Sequence, residues 1–232
     1  MNLLLKIYIL AGGFGTRLLE VVKNVPKSMA PVGKKPFLDY QIDLIKNSID
    51  EYKIYLLTHY KSEIIENYYS NNPTIDIIRE TNPLGTGGAI KNAMKIVNHQ
   101  IKEPALIMNG DSYIDVDYND FIKKSKNNIN ILCKFQKDCE RSSTLEIKNS
   151  IIKKFNKQGC NKENSYISTG CYYFNNTSII QNNSETIFMI EELFENICKE
   201  ISLAAHIYDG DFIDIGVPKD YFKFCENIKN EY

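Results

Sequence analysis

The sequence predicts an α/β protein, with a mostly parallel central sheet, helices on both faces and a small antiparallel addition. Short apolar runs alternate with amphipathic stretches through the first half, the pattern of strand–helix repeats. The second half changes to closely spaced strand-like runs divided by polar turns. At 232 residues, 43% of them hydrophobic, the chain suffices for one sizeable domain with its own core.

Taken in order, residues 3–10 form the first expected strand. The run is apolar but contains Lys6, has no basic leader, and enters a glycine-rich loop instead of a cleavage site. A buried strand therefore explains it better than a secretion signal. Residues 53–58, 75–79 and 104–109 are further strands, and residues 37–48, 61–69 and 85–97 carry apolar positions at helical spacing between them. A sheet of this kind binds ligands beyond the carboxyl ends of its strands. Residues 128–136, 144–147, 151–155 and 166–174 are the expected antiparallel strands, and 188–198 and 217–228 the closing helices. The polar, asparagine-rich stretch 175–185 is expected to be a surface loop. There is no internal repeat, and no hexapeptide array of the kind that builds a β-helix.

A net charge of −1 gives no reason to expect nucleic acid or an anionic membrane as partner. No apolar stretch reaches the about 18 residues that span a bilayer. The six cysteines form no Cys-x-x-Cys pair and no ligand spacing with histidine, so reduced thiols in a cytoplasmic protein are expected. His59, His99 and His206 have no acid at a suggestive spacing and receive no catalytic role.

The chemistry lies in the loops. After the first strand, residues 11–18 read Ala-Gly-Gly-Phe-Gly-Thr-Arg-Leu. Glycines bring several amides close to one anion, and Arg17 adds a planar donor fork suited to phosphate. A plain tight turn is the usual explanation of a lone Gly-x-Gly, but here an arginine and further basic residues follow. The loop lacks the Gly-Lys-Ser/Thr ending of a P-loop, and Leu18 stands where a dinucleotide fingerprint needs its third glycine. Lys27 lies between Pro26 and Pro31, which fix the backbone around it, so it is read as a phosphate contact and not as a solvated lysine.

Together these segments resemble the bacterial sugar-1-phosphate nucleotidyltransferases. The resemblance rests on residues 10–18, on Pro26-Lys27-Ser28-Met29-Ala30-Pro31-Val32 with Lys35-Pro36-Phe37-Leu38, and on Leu84-Gly85-Thr86-Gly87-Gly88-Ala89. It continues through Asn109-Gly110-Asp111-Ser112, Ser168-Thr169-Gly170-Cys171-Tyr172 and residues 212–221, covering almost the whole chain in order. It implies a Rossmann-like nucleotidyltransferase fold, with residues 1–127 as a nucleotide-binding half and 128–232 as a sugar-phosphate-binding half. Within the family, the form of the middle and final motifs is most similar to guanylyltransferases acting on D-glycero-α-D-manno-heptose 1-phosphate. The substrates so implied are GTP and that heptose phosphate, the cofactor Mg2+, and the product a nucleotide sugar for surface polysaccharide. A homo-oligomer is compatible with the sequence.

The resemblance places Leu10, Ala11, Gly12, Gly13, Gly15 and Thr16 on the nucleotide, Arg17 on the departing pyrophosphate, and Lys27 on the α-phosphate and the incoming sugar phosphate. Asp111 follows a buried strand, where a carboxylate is well placed to hold Mg2+; Asp214 resembles the family's second metal ligand. Turn residues are the bland reading of both aspartates. Gly85, Thr86, Gly87 and Gly88 open a helix whose amides are expected at the base or a phosphate. Glu80 is read equally as a base contact and as a solvated charge. Asn109, Thr169 and Gly170 are expected in the sugar-phosphate pocket. Glu191 is a further candidate there, against a solvated helix face as its plainer explanation. Many relatives carry Glu-Lys where this chain reads Phe155-Asn156-Lys157, so Lys157 is the candidate for the lysine that grips the sugar phosphate, with its register open. Transfer to a hexose 1-phosphate from dTTP, UTP or CTP is the alternative within the same chemistry. A catalytically silent nucleotide-sugar-binding domain is the alternative outside it, and the presence of Arg17, Lys27, Asp111 and Asp214 argues against that.

Overall fold

A computed structural model describes residues 4–139, 142–156 and 164–230. In chain order its strands are β1 (Leu5–Leu10), β2 (Pro31–Val32), β3 (Lys35–Pro36), β4 (Tyr52–Thr58), β5 (Ile75–Arg79), β6 (Ala105–Asn109) and β7 (Ser112–Ile114). Then follow β8 (Ile129–Gln136), β9 (Thr144–Lys148), β10 (Ile151–Asn156), β11 (Ser165–Phe174), β12 (Leu203–Ile207) and β13 (Phe212–Asp214). The α-helices are α1 (Phe37–Ser48), α2 (Ser62–Tyr69), α3 (Gly85–Ile96), α4 (Tyr118–Lys124), α5 (Ser178–Gln181), α6 (Ile190–Ile197) and α7 (Pro218–Asn230).

One nine-stranded sheet runs β5-β4-β1-β6-β11-β8-β12-β10-β9. From β5 to β6 all neighbours are parallel, as expected for strands joined by helical crossovers. From β6 onward the pairing is antiparallel, except that β12 runs parallel to β8. The sheet as a whole is thus mixed: parallel central strands with helices on both faces, as the sequence predicts, and an antiparallel part beside them. The antiparallel strands are the expected addition. They continue the same sheet through β11, and β9 curls back to pair with β11, closing a ring of β11, β8, β12, β10 and β9.

Alternation along the central strands explains the two layers of helices. Tyr8 of β1 and Ala105 and Ile107 of β6 face a core shared with Ala93 and Met94 of α3 and Phe194 of α6. Ile7, Ile9, Leu106 and Met108 face the opposite side, packing with Leu38, Ile42 and Ile45 of α1, Ile65 of α2 and Phe121 of α4. Because both faces are covered, these strands read as continuous apolar runs. A third cluster, with Leu18, Phe37, Ile213, Ile215 and Phe224, lies under the glycine loop and α7 and fixes them to the sheet.

Strand and helix ends agree with the sequence reading to within one or two residues in the first half. Residue 3 lies outside the described residues. The stretch 175–185 is not all loop, since it contains α5. The sequence reading misses α4, β12 and the short pairs β2/β3 and β7/β13. The signal for α4 was present: Asp117 caps it, its carboxylate accepting from the amides of Asn119 and Asp120.

Candidate active site

Two carboxylates are brought together by a short pairing that sequence reading misses. β7 begins one residue after Asp111 and pairs antiparallel with β13, setting Asp214 opposite Ser112. The amide of Ile215 also donates to the Asp111 carbonyl at 3.0 Å. Lys27 comes to the same point from a turn of 3-10 helix (Lys27–Met29) that starts after Pro26. Its Nζ lies 2.6 Å from Asp111 Oδ2 and 3.5 Å from Asp214 Oδ1. Burial alone lowers the Lys27 ammonium. The charges of Asp111 and Asp214 and their hydrogen bonds outweigh it, holding the group above the ordinary lysine value. Gly15 sits against Lys27 with φ +59, and a Cβ there would lie 2.9 Å from the Lys27 Cβ. Glycine is needed on both counts.

Gly15, Thr16, Arg17, Lys27, Asp111, Asp214 and Gly216 line a cavity of about 240 Å³. Arg17 is exposed at its edge and makes no ion pair among the described residues.

A second cavity, of about 390 Å³, opens beside it above the ends of β1 and β4. Leu10, Gly12, Gly13, Gly85, Thr86 and Glu80 line it together with Leu57, Pro83, Ala89 and Met189, and Phe14 and His59. Glu80 follows β5 and is not a fully solvated charge: its Oε1 is buried without a hydrogen-bond partner. Desolvation raises its carboxyl above the ordinary glutamate value, against a lowering contribution from His59. Ala11 does not reach this cavity, being buried with its amide bonded to the Leu57 carbonyl at 2.8 Å.

The α3 amides correct a second expectation. Those of Gly87 and Gly88 donate to the Phe188 carbonyl at 3.0 and 3.2 Å, so they are already engaged within the protein. Both glycines allow close packing of residues 186–188 across the helix start, since a Cβ on Gly87 would lie 2.1 Å from the Phe188 ring.

A third cavity, of about 410 Å³, is lined by Asn109, Asp111, Ser112, Thr169, Gly170, Tyr172, Met189, Glu191 and Asp214, among others. Gly170 has φ +76, and a Cβ there would lie 2.2 Å from Asn109 Nδ2, so the glycine makes room for the Asn109 amide. Thr169 is buried and donates its hydroxyl to the Leu132 carbonyl at 2.9 Å. Glu191 is not on a solvated helix face. Thr86 Oγ1 lies 3.1 Å from its Oε2 and Tyr172 OH 3.4 Å from its Oε1. Desolvation raises its carboxyl too, despite those hydrogen bonds. Lys157 lies outside the described residues.

Asp111 borders all three cavities. The arrangement is a cation-bearing centre between two cavities, able to hold two anionic groups against one another. Sequence reading misses Phe14 and His59, and Met189, which reaches the site from a connection carrying no motif. Tyr172 lies inside the Ser168–Tyr172 motif, whose sequence gives no sign of its contact with Glu191.

The chain belongs to the nucleotidyl transferase family, whose profile matches residues 6–231. Among relatives, it is 35% identical over 229 residues to the D-glycero-alpha-D-manno-heptose 1-phosphate guanylyltransferase of Campylobacter jejuni, covering 94% of this chain and 98% of that one. It is likewise 35% identical to the protein of that name from Aneurinibacillus thermoaerophilus, over 96% and 97% of the two chains. HddC from Yersinia pseudotuberculosis, solved in complex with GMP-PN, superposes with a TM-score of 0.80 at 32% identity, over 97% of this chain and 99% of that one.

Proposed function

We propose that the enzyme transfers a guanylyl group from GTP to D-glycero-α-D-manno-heptose 1-phosphate, releasing pyrophosphate. The observation that carries the choice of base is half-buried Glu80, whose Oε1 is shut off from water without a hydrogen-bond partner among the described residues, in an otherwise largely apolar cavity. An ionised carboxylate only accepts hydrogen bonds. Guanine alone among the common bases offers two adjacent donors, N1–H and the 2-amino group, on one edge. Uracil and thymine offer a single donor between acceptors, and adenine and cytosine one amino group beside an acceptor. The two heptose phosphate guanylyltransferases among its relatives support the sugar.

In this reading residues 1–127 form the nucleotide-binding half and 128–232 the sugar-phosphate-binding half. The glycine loop and Arg17 hold the β- and γ-phosphates, and Asn109, Gly170 and Glu191 face the sugar. Lys27 stands between the α-phosphate and the sugar phosphate. A phosphomonoester of roughly −1.5 to −2 charge must meet a triphosphate, and cations at the meeting point remove the repulsion. An oxygen of the sugar phosphate attacks the α-phosphorus in line. That P–O bond forms as the bond to the oxygen bridging the β-phosphate breaks, and pyrophosphate carries the electron pair away. The nucleophile is already ionised, so no general base is needed, and catalysis is by positioning and charge.

Asp111 and Asp214 suit Mg2+, which takes one or two carboxylates and completes its shell with phosphates and water. Their convergence on the Lys27 ammonium marks the place where a positive charge is favoured. When bound there, Mg2+ would neutralise charge on the phosphate oxygens. The protein is proposed to work in the cytoplasm, supplying a nucleotide sugar for surface polysaccharide.

The test is nucleotide choice in Glu80→Gln. Replacing one acceptor by an amide donor should weaken GTP binding by about 10- to 100-fold, the cost of a hydrogen bond to a charged group, with little effect on UTP. Equal loss for all nucleotides, or none, would remove Glu80 from base selection.

A further inference from the structure

Hydrogen bonds of one side chain connect the cavity of about 390 Å³ to that of about 410 Å³. Thr86, in the first turn of α3, lines the nucleotide-side cavity. Its hydroxyl does two things within the protein. It accepts the Ile190 amide at 2.9 Å, and it lies 3.1 Å from Glu191 Oε2, to which it donates. Glu191 faces the other cavity, where its second oxygen takes the Tyr172 hydroxyl at 3.4 Å. Tyr172 in turn lies 3.4 Å from Ser168 Oγ, also in that cavity wall. The connection before Glu191 is bound to α3 on its backbone, through Phe188 with Gly87, Gly88 and Leu84. Met189, next to Ile190, lines both cavities.

A threonine hydroxyl has one proton to donate. With that proton on Glu191 and one lone pair taking the Ile190 amide, the hydroxyl has no proton left to donate to a phosphate oxygen or a base acceptor. From this we infer that Thr86 is a positioning residue for the sugar phosphate and not a hydrogen-bond donor to the nucleotide. It orients the Glu191 carboxylate toward the sugar hydroxyls, and it couples the start of α3, against which the nucleotide packs, to the sugar cavity. The inference rests on the proposed assignment of the Glu191 cavity to the sugar phosphate. It moves the effect of a residue in the nucleotide-binding motif onto the other substrate.

The experiment compares wild type with Thr86→Val, Thr86→Ser, Glu191→Gln and the double variant Thr86→Val/Glu191→Gln. KM for GTP and for D-glycero-α-D-manno-heptose 1-phosphate is measured separately for each. Valine keeps the shape and removes both hydrogen bonds. Thr86→Val should raise the KM for the sugar phosphate about tenfold, leaving the KM for GTP within about twofold, and Thr86→Ser should restore it. Because Thr86 acts through Glu191, the double variant should be no worse than Glu191→Gln alone within about twofold. An equal rise in both KM values would make Thr86 a nucleotide ligand. Unchanged values, or effects that multiply in the double variant, would remove the coupling. Melting temperatures of the four variants identify any loss through unfolding, and in that case the serine variant alone carries the comparison: a sugar KM shifted along with that for GTP overturns the inference. If wild type turns over a different substrate pair, the substrate assignment falls, and the same split in KM is read on the pair it uses. If it turns over none, the split is read by calorimetric titration of GTP and of the heptose phosphate.

Discussion

At the residue scale the site depends on a few charges held by backbone geometry. Lys27 and Asp111 are joined at 2.6 Å, and their side chains are 15% and 36% exposed, at the wall of a cavity and not inside the apolar core. Asp111→Asn is therefore expected to leave the melting temperature nearly unchanged while lowering kcat by about 10²–10³, the scale of losing one electrostatic contact to a reacting phosphate. Near-normal turnover in the presence of Mg2+ would exclude it from metal binding. Lys27→Ala should behave alike, with its loss in kcat and not in folding. These residues were legible in the sequence because their neighbours are unusual: glycines before Arg17, prolines around Lys27, a glycine before Asp111. Glu80 is not resolved by the sequence because nothing local reveals burial. Its significance comes from an oxygen that the fold removes from water without a partner.

Elements explain what the motifs alone misread. Gly87 and Gly88 suggested amides open to a ligand, but those amides are taken by the Phe188 carbonyl, about a hundred positions further along the chain. No helix-start signal in a sequence reveals a cap supplied from so far away. A Cβ on Gly87 would overlap the Phe188 ring, so Gly87→Ala should destabilise the protein by about 1–3 kcal/mol, the usual cost of overpacking. At roughly 2–4 °C per kcal/mol for a chain of this size, the melting temperature should fall by several degrees. Adding Phe188→Leu should recover part of that loss, and an undisturbed melting temperature in Gly87→Ala would show that the two do not press on each other. Strand and helix periodicity in the first half was readable because each strand is covered on both faces. The strand order of the sheet was not, since β6 next to β11 and β8 next to β12 are pairings between segments far apart in sequence.

For the whole molecule, buried His99 and half-buried His206 predict how stability depends on pH. His99 Nδ1 accepts the Tyr8 hydroxyl at 3.0 Å while its other nitrogen donates to the Glu103 carbonyl at 3.1 Å, an arrangement that suits the neutral ring. Desolvation lowers the pKa of His99, outweighing the hydrogen bond to the Glu103 carbonyl and the Glu103 charge, with Lys6 adding to the lowering, and desolvation with Lys124 lowers that of His206. Unfolding frees both to bind protons near the ordinary value of about 6.5, so stability is complete above that pH and declines as pH falls through and below it. Urea unfolding at pH 7.5 and at 5.5 should give the lower midpoint at 5.5. His99→Gln together with His206→Gln should flatten that difference, and an unflattened difference would assign it to other groups. At this scale the family was readable from the order of its motifs, because a site assembled from six separated loops leaves a mark on each. The continuous sheet joining the parallel and antiparallel strands was not, because long-range pairing leaves no local mark.

Pyrophosphate release with Mg2+ should be measured for GTP, dTTP, UTP, CTP and ATP, each paired with D-glycero-α-D-manno-heptose 1-phosphate and with several hexose 1-phosphates. GTP with the heptose phosphate is expected to exceed every other pair by at least about tenfold in kcat/KM, as a base contact through a half-buried carboxylate requires. Preferred turnover of dTTP, UTP or CTP would overturn the role of Glu80, and with it the guanylyl assignment.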